Sequence, residues 1–338
     1  LSKVISELGE PGFRITQIKK WLYQKRIDSF DQMNNMPKLL RQKMSSLFAI
    51  DKMPAVYVLQ SKSRDAVKFG FRLLHSNNLA ESVLLIDGDR RTACISSQFG
   101  CGLGCTFCET GKMGFIRNLT QEEIIGQLIG INDYLHSKSD KLVTNIVFMG
   151  MGEALSNFDN FLNSLSIIMS ENAFNIGGRR ITVSTAGVVP SIEKLIDQNL
   201  NIGLAISLNS YSNIKRSEIM PINNHYPIES LIQIARKYFN KTGRRVTFEY
   251  VIIDGETNTA EAASALQNYL GGLPCKINLI PINPSKDSNV SSPPDYIVAK
   301  FAEQLNKRGL STTIRKSRGQ DIWGACGQLA GSDYNSNL

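Results

Sequence analysis

From Thr92 onward, short runs of β-branched and apolar residues recur along the chain, and stretches with helical spacing of their apolar residues lie between them. The runs are TACISS from Thr92, TNIVFMG from Thr144, RRITVST from Arg179, IGLAISL from Ile202, RRVTFEYVII from Arg244 and KINLIPI from Lys276. Among the helical stretches, Thr120 and Glu123 form a T-x-x-E capping box ahead of IIGQLIGINDYL, and YPIESLIQIARKYF repeats its apolar residues at turn spacing. Strands separated by helices are joined by crossovers, which favours a parallel sheet covered by those helices, an α/β fold. STTIRKS, from Ser311, is a candidate for one further strand. Functional groups in such folds gather at the C-terminal ends of the strands.

Just past the first run lies CGLGCTFC, in which Cys101, Cys105 and Cys108 form a C-x3-C-x2-C loop. A structural zinc site takes four protein ligands, so a zinc knuckle would borrow a distant Cys or His. An electron-transfer [4Fe-4S] cluster takes four cysteines, and three thiolates would leave one iron open to a small molecule. The open cluster is the preferred reading.

The spacing, with Phe107 ahead of the third cysteine, resembles the radical-SAM superfamily. The longer stretch TACISSQFGCGLGCTFCETGKMGFIRNLT, from Thr92 to Thr120, is similar to the radical-SAM RNA adenine methyltransferases. GMGEALSNF from Gly150, STAGVVPSI from Ser184, Ser207-Leu208, MPIN from Met220, CKINLIPINP from Cys275 and RKSRGQDIWGACGQLAG from Arg315 follow in the order of that family. The resemblance implies a partial (β/α)6 barrel of residues 91–318, a helical accessory domain of residues 1–50, a β-rich connector of residues 51–90 and a catalytic C-terminal loop of residues 319–338. It also implies a [4Fe-4S] cluster on Cys101, Cys105 and Cys108, with S-adenosylmethionine (SAM) used twice per turnover. Gly152 and Glu153 would meet the SAM amino group, and Ser184, Ser207, Leu208, Asn209 and Asn283 its ribose, carboxylate or adenine. Read alone, these polar residues satisfy local backbone groups at strand ends.

The same resemblance aligns Cys326 and Cys94 with the two catalytic cysteines of the family, whereas Cys275 reads as a small buried hydrophobe. Cys326 would carry a methyl group that becomes a carbon radical and adds to an electron-poor adenine carbon. Cys94 would release the RNA by forming a transient disulfide with Cys326. Glu81 matches the proposed proton acceptor; read alone, it is an exposed strand glutamate. Three positions depart from the pattern. Asn209 stands where the family commonly has histidine, Trp323-Gly324 where small or acidic residues are usual, and Glu109 where a small residue follows the last cluster cysteine. Asparagine excludes proton transfer at that site.

Ahead of the barrel, ITQIKKWLYQKRIDSFDQM has helical periodicity and many basic residues, and AVYVLQ, AVKFGFRLL and AESVLLIDG read as short strands joined by polar turns. Lys19, Lys20, Lys25 and Arg26 form either a solvated helix face or an RNA-docking surface. KDSNVSSPPD, from Lys286, reads as a flexible loop, and the glycine-flanked Cys326 loop as a mobile one. With 338 residues, 42% of them hydrophobic, the chain suffices for one large core and a small appendage. No run reaches membrane-spanning length, and the first residues lack the charged-then-apolar order of a secretory signal, so a cytoplasmic monomer is expected. Six cysteines fit free thiols and ligands better than a disulfide framework, and a net charge of +8 favours a polyanionic partner. The expected partners are large-subunit ribosomal RNA, transfer RNA, and a reductant such as flavodoxin or ferredoxin. The alternatives are a sister enzyme methylating carbon 8 of the same adenine and a non-catalytic Fe–S RNA-binding protein; the RKSRGQDI segment resembles the carbon-2 group more closely.

Overall fold

The computed structural model describes residues 2–74, 76–283 and 291–330. Twelve strands occur in these residues: β1 Ala55–Gln60, β2 Ala66–Arg72, β3 Leu79–Asp87, β4 Arg90–Cys94, β5 Gln98–Gly100, β6 Phe115–Asn118, β7 Asn145–Phe148, β8 Ile181–Thr185, β9 Gly203–Ser207, β10 Val246–Ile252, β11 Cys275–Pro281 and β12 Thr312–Ile314. Ten of them form one sheet, in the order β1-β2-β3-β4-β7-β8-β9-β10-β11-β12. From β4 to β12 every pairing is parallel, and β1 to β4 pair antiparallel, so the strands of the 51–90 segment lengthen the same sheet. Each expected run supplies a strand, and the run from Ser311 supplies the last. The hairpin of β5 and β6, which brackets the cysteine loop, is an addition to the expected set.

The parallel strands are buried because helices cover them. Ile146, Val183, Ile206, Phe248, Ile277 and Leu279 are all at most 3% exposed. The helix Gln121–Ser137 starts at the expected capping box: Glu123 N–H donates to Thr120 Oγ1 at 3.3 Å, and Thr120 N–H donates to Glu123 Oε2 at 3.0 Å. From the helix Phe158–Met169, Phe161 meets Phe148 of β7 edge-on, with ring centroids 4.8 Å apart. Burying each such side chain contributes about 1.5–3 kcal/mol. No helix among the described residues is long and apolar enough to cross a membrane.

The N-terminal segment has its own core, built from Ile5, Ile18, Ile27, Phe30, Met33, Met36, Leu40 and Met44. Its periodic stretch is not one helix. An α-helix, Phe13–Lys19, widens into a π-helical turn, Lys20–Lys25, and stops at Arg26, whose φ is 53°. Tertiary packing overrides the periodicity here: the break turns Ile27, Phe30 and Met33 into the small core, and Arg26 Nε pairs with Asp133 of the barrel at 2.9 Å. Lys19 and Arg26 are half-buried, and Lys20 and Lys25 are exposed. Of the loop expected from Lys286, residues 286–290 lie outside the described residues. Residues 291–294 run without helix or strand into the helix Asp295–Lys307.

Candidate active site

The parallel strand ends converge on a cavity lined by Cys101, Cys105 and Cys108, by Gly152 and Glu153, by Ser184, Ser207, Asn209, Glu249 and Asn283, and by Arg315 and Cys326. Its construction starts at the β5–β6 hairpin. Cys101 N–H donates to Gly114 O at 2.8 Å across the hairpin mouth. Gly100 has a φ of +75°, and a Cβ there would sit 2.0 Å from that same carbonyl oxygen, so the approach needs glycine. Thr106 N–H donates to Ile219 O at 3.0 Å and ties the middle of the cysteine loop to the helix Asn213–Ile219.

Burial pushes the Cys101 thiol up to about 11 and the Cys105 thiol up to about 12, and Cys108 is raised by the same cause. Three thiols gathered in a low-dielectric loop become thiolates only with a group that neutralises them, the demand an iron–sulfur cluster meets. Among the described residues no three His, Cys, Asp or Glu side chains converge on a single point. A cubane cluster binds each thiolate through a different iron and needs no such convergence.

After β7 the chain passes through Gly152, with a φ of +90°, where a Cβ would lie 2.4 Å from Gln98 Cβ. Gln98 Oε1 accepts the Glu153 N–H at 2.9 Å, and Glu153 Oε2 accepts the Ala186 N–H at 2.8 Å. Burial pushes the Glu153 carboxyl up to about 7 against these hydrogen bonds. It is therefore a buried acceptor ready for a ligand ammonium. Ser184 Oγ donates to Glu249 Oε2 at 2.9 Å, and Arg315 Nη1 donates to Glu249 Oε1 at 3.1 Å. Glu249 thus links the β8 end to the segment after β12. Asn209 adopts the left-handed backbone that asparagine tolerates, and its Oδ1 accepts the Val251 N–H at 3.2 Å. Leu208 is fully buried in the core and lines no part of the cavity; it takes part through its backbone, whose N–H donates to Glu249 O at 2.9 Å.

A second cavity adjoins the first. Met149, Ile280, Asn283, Arg315 and Cys326 line both, while Cys94, Lys316, Ser317 and Arg318 line only the second. Cys326 stands on the shared wall. Burial first, and the neighbouring Cys326 second, push the Cys94 thiol up to about 12, with Arg315 opposing. The neighbouring Cys326 first, with Glu249, in turn holds the Arg315 guanidinium charged against its burial. Three hydrogen bonds position the loop carrying Cys326. Asn283 Nδ2 donates to Cys326 O at 2.9 Å, Glu109 N–H to Gly327 O at 2.7 Å and Thr110 Oγ1 to Leu329 O at 2.5 Å.

Glu81 is 2% exposed, so it is no surface glutamate, and it lines neither cavity. Its carboxylate pairs with Lys68 Nζ at 2.8 Å and accepts the Tyr57 hydroxyl and, at 2.9 Å, the Ala330 N–H. Cys275 is buried on β11, away from both cavities. Sequence reasoning missed Glu249, Arg315 and Arg216. A lone acid inside the apolar strand RRVTFEYVII signalled the first; the second opens a matched motif. The third carries no local signal. Arg216 is fully buried and donates to Leu208 O, Asn223 Oδ1, Ala186 O and Ser207 O at 2.8–2.9 Å, joining loops that follow two strands.

Residues 1–50 match the family described as the ribosomal RNA large subunit methyltransferase N-terminal domain, and residues 95–264 match the radical SAM superfamily. The chain is 42% identical over 335 residues to a dual-specificity RNA methyltransferase RlmN of Marinobacter nauticus, covering 98% of this chain and 90% of that one. It is 41% identical over 334 residues to a probable dual-specificity RNA methyltransferase RlmN of Clostridium beijerinckii, covering 98% and 92%. A radical SAM methyltransferase from Sphaerobacter thermophilus superposes with a TM-score of 0.92 at 38% identity, covering 98% of this chain and 96% of that one. The chain therefore belongs to the RlmN family of radical-SAM RNA methyltransferases, whose cofactors are a [4Fe-4S] cluster and SAM.

Proposed function

We propose that this protein methylates carbon 2 of one adenosine in large-subunit ribosomal RNA, and of the adenosine next to the anticodon in transfer RNA, through an S-methyl group carried on Cys326. The supporting observation is the place of Cys326 on the wall between two cavities, one lined by three cysteines and the other by Cys94. In this reading Cys101, Cys105 and Cys108 hold the cluster. Gly152, Glu153, Ser184, Ser207, Asn209 and Asn283, with the backbone at Leu208, hold SAM. When bound, these cofactors supply the methyl group and the radical chemistry that activates it.

The chain's own residues do the rest. Cys326 Sγ accepts the methyl group, and joining that carbon to the adenine ring leaves the RNA bonded to Cys326. Glu81 receives the ring proton, and access to it requires the RNA to displace the segment at Ala330, whose N–H occupies one carboxylate oxygen. Cys94 Sγ then attacks Cys326 Sγ. A sulfur–sulfur bond forms, the sulfur–carbon bond breaks with its electron pair passing to the carbon, a proton in place of the one the Cys94 thiol gives up completes the methyl group there, and a two-electron reductant resets the disulfide. A flavodoxin or ferredoxin suits the electron supply, and one chain carries every group named, as a cytoplasmic monomer would. Residues 1–50 serve RNA docking, 51–90 connect, 91–318 form the barrel and 319–338 bear the catalytic loop.

The test separates the two cysteines. Cys326→Ala should yield no methylated RNA. Cys94→Ala should accumulate a covalent RNA adduct, seen by mass spectrometry after RNase digestion as a nucleotide-bearing peptide containing Cys326. Normal turnover by Cys94→Ala, or an adduct on Cys275, refutes the assignment. Nucleoside analysis of the reacted RNA distinguishes carbon 2 from carbon 8.

A further inference from the structure

Trp323 occupies a backbone position that suits it poorly. Its φ and ψ are 52° and 39°, in the left-handed region that a bulky side chain adopts only under constraint. The other left-handed residue of the same turn, Gly319, is a glycine. The constraint is visible. Lys68 Nζ, already paired with Glu81, donates to Trp323 O at 3.0 Å, while Trp323 N–H donates to Gln320 O at 3.1 Å and Gly324 N–H to Gly319 O at 2.8 Å. Packing does not explain the residue. The indole is 37% exposed, and neither of the buried hydrophobic clusters includes it, although its neighbour Ile322 packs on the larger one.

What adjoins Trp323 is the second cavity. Gly324, Ala325 and Cys326, the residues that follow it, line that cavity together with Arg315, Lys316 and Arg318. Arg315 and Arg318 are committed to Glu249 and Asp87, at 3.1 Å each, and among the described residues this leaves the exposed Lys316 for an outside anion. An exposed aromatic on a rigid backbone, next to a cationic wall, is how proteins receive unstacked RNA bases. We infer that Trp323 is a stacking platform for one base of the RNA, adjacent to the nucleotide presented to Cys326, with Lys316 contacting the intervening phosphate. The inference rests on the RNA reading above and adds a substrate contact made by a residue where the family pattern has small or acidic ones.

The sequence holds two tryptophans, Trp21 and Trp323. Trp21 belongs to the N-terminal segment, where its Nε1 donates to Asn35 Oδ1 at 2.7 Å, so Trp21→Phe leaves Trp323 as the sole indole reporter. Full-length Trp21→Phe protein is titrated with a short single-stranded adenosine-containing oligoribonucleotide and with an abasic oligomer of equal length. Saturable quenching of indole emission by the first and not the second is expected. In the otherwise unaltered chain, Trp323→Ala should weaken RNA binding about tenfold, with Trp323→Phe retaining most of the affinity. Trp323→Gly, which suits the left-handed backbone, should lose affinity as the alanine variant does without lowering the thermal midpoint. RNA binding with unchanged Trp323 emission, or equal affinities across the variants, overturns the stacking role alone. No RNA binding by the unaltered chain overturns the RNA reading and this inference together.

Discussion

Replacing Arg216 with methionine should cost the protein about 3 kcal/mol of stability. The guanidinium is fully buried, with no carboxylate bonded to it among the described residues, and carbonyl and amide oxygens solvate it instead. Four of its hydrogen bonds measure 2.8–2.9 Å, and a fifth, to Tyr226 O at 3.4 Å, is marginal. Methionine fills similar volume but orphans four oxygens, at about 1.5 kcal/mol each. Against that, burial has pulled the Arg216 guanidinium down to about 10, so its removal relieves a desolvation cost of roughly 3 kcal/mol. The remainder lowers the thermal midpoint by about 4 °C in a chain of this size. Arg216→Lys, which keeps the charge but only one or two of the bonds, should fall about halfway. Because the acceptors include Ala186 O and Ser207 O, which belong to cavity-lining residues, SAM affinity measured by equilibrium dialysis should decline in the same order. Urea unfolding at constant m-value measures the stability loss. A methionine variant as stable as the unaltered chain would show that this oxygen array is as well off without its cation, and would refute the reasoning.

Two further substitutions probe the site and its surroundings. Gly152→Ala places a Cβ 2.4 Å from Gln98 Cβ at a φ of +90°, and SAM binding should fall at least tenfold while the far-UV spectrum is preserved; retained affinity would mean that the loop yields. The Cys275 thiol, pushed up to about 11 by burial with Arg245 opposing, favours the folded state fully below pH 9 and loses that contribution as pH rises through 11. Cys275→Ala should therefore lose less stability than the unaltered chain between pH 9 and 11, measured as urea midpoints, with methylated-RNA yield unaffected; identical alkaline slopes would contradict this.

The parallel sheet was legible because its inner strands, rich in buried apolar residues, read as compact apolar runs, and the capping box at Thr120 is a local device that sequence alone displays. The groups at the strand ends were legible through motifs spaced by the chain itself. What escaped depends on distant partners. Arg216 is indistinguishable in sequence from a surface arginine, and only the fold brings Leu208, Ala186 and Asn223 around it. Glu81 looked like a surface strand residue because neither the Lys68 ammonium nor the Ala330 N–H is close to it in sequence. The helical periodicity around Arg26 does not display where the helix ends, because a small core and an ion pair to Asp133 bend the chain there.

The ten-stranded sheet has two edges, β1 and β12, and no ladder joins them. The segment after β12 instead reaches the β1–β3 end through Arg318 with Ile86 O at 2.8 Å, Asp321 with Lys62 N–H at 2.8 Å and Ala330 N–H with Glu81 at 2.9 Å. Opening a ladder breaks a cooperative row of backbone bonds, whereas this seam comes undone a single fastening at a time. Amide hydrogens along residues 318–330 should therefore exchange with deuterium by local opening, well before those of β8 to β10 are released by global unfolding. In the mechanism proposed above, a seam of this kind lets Cys326 admit and discharge the RNA while the barrel behind it stays folded.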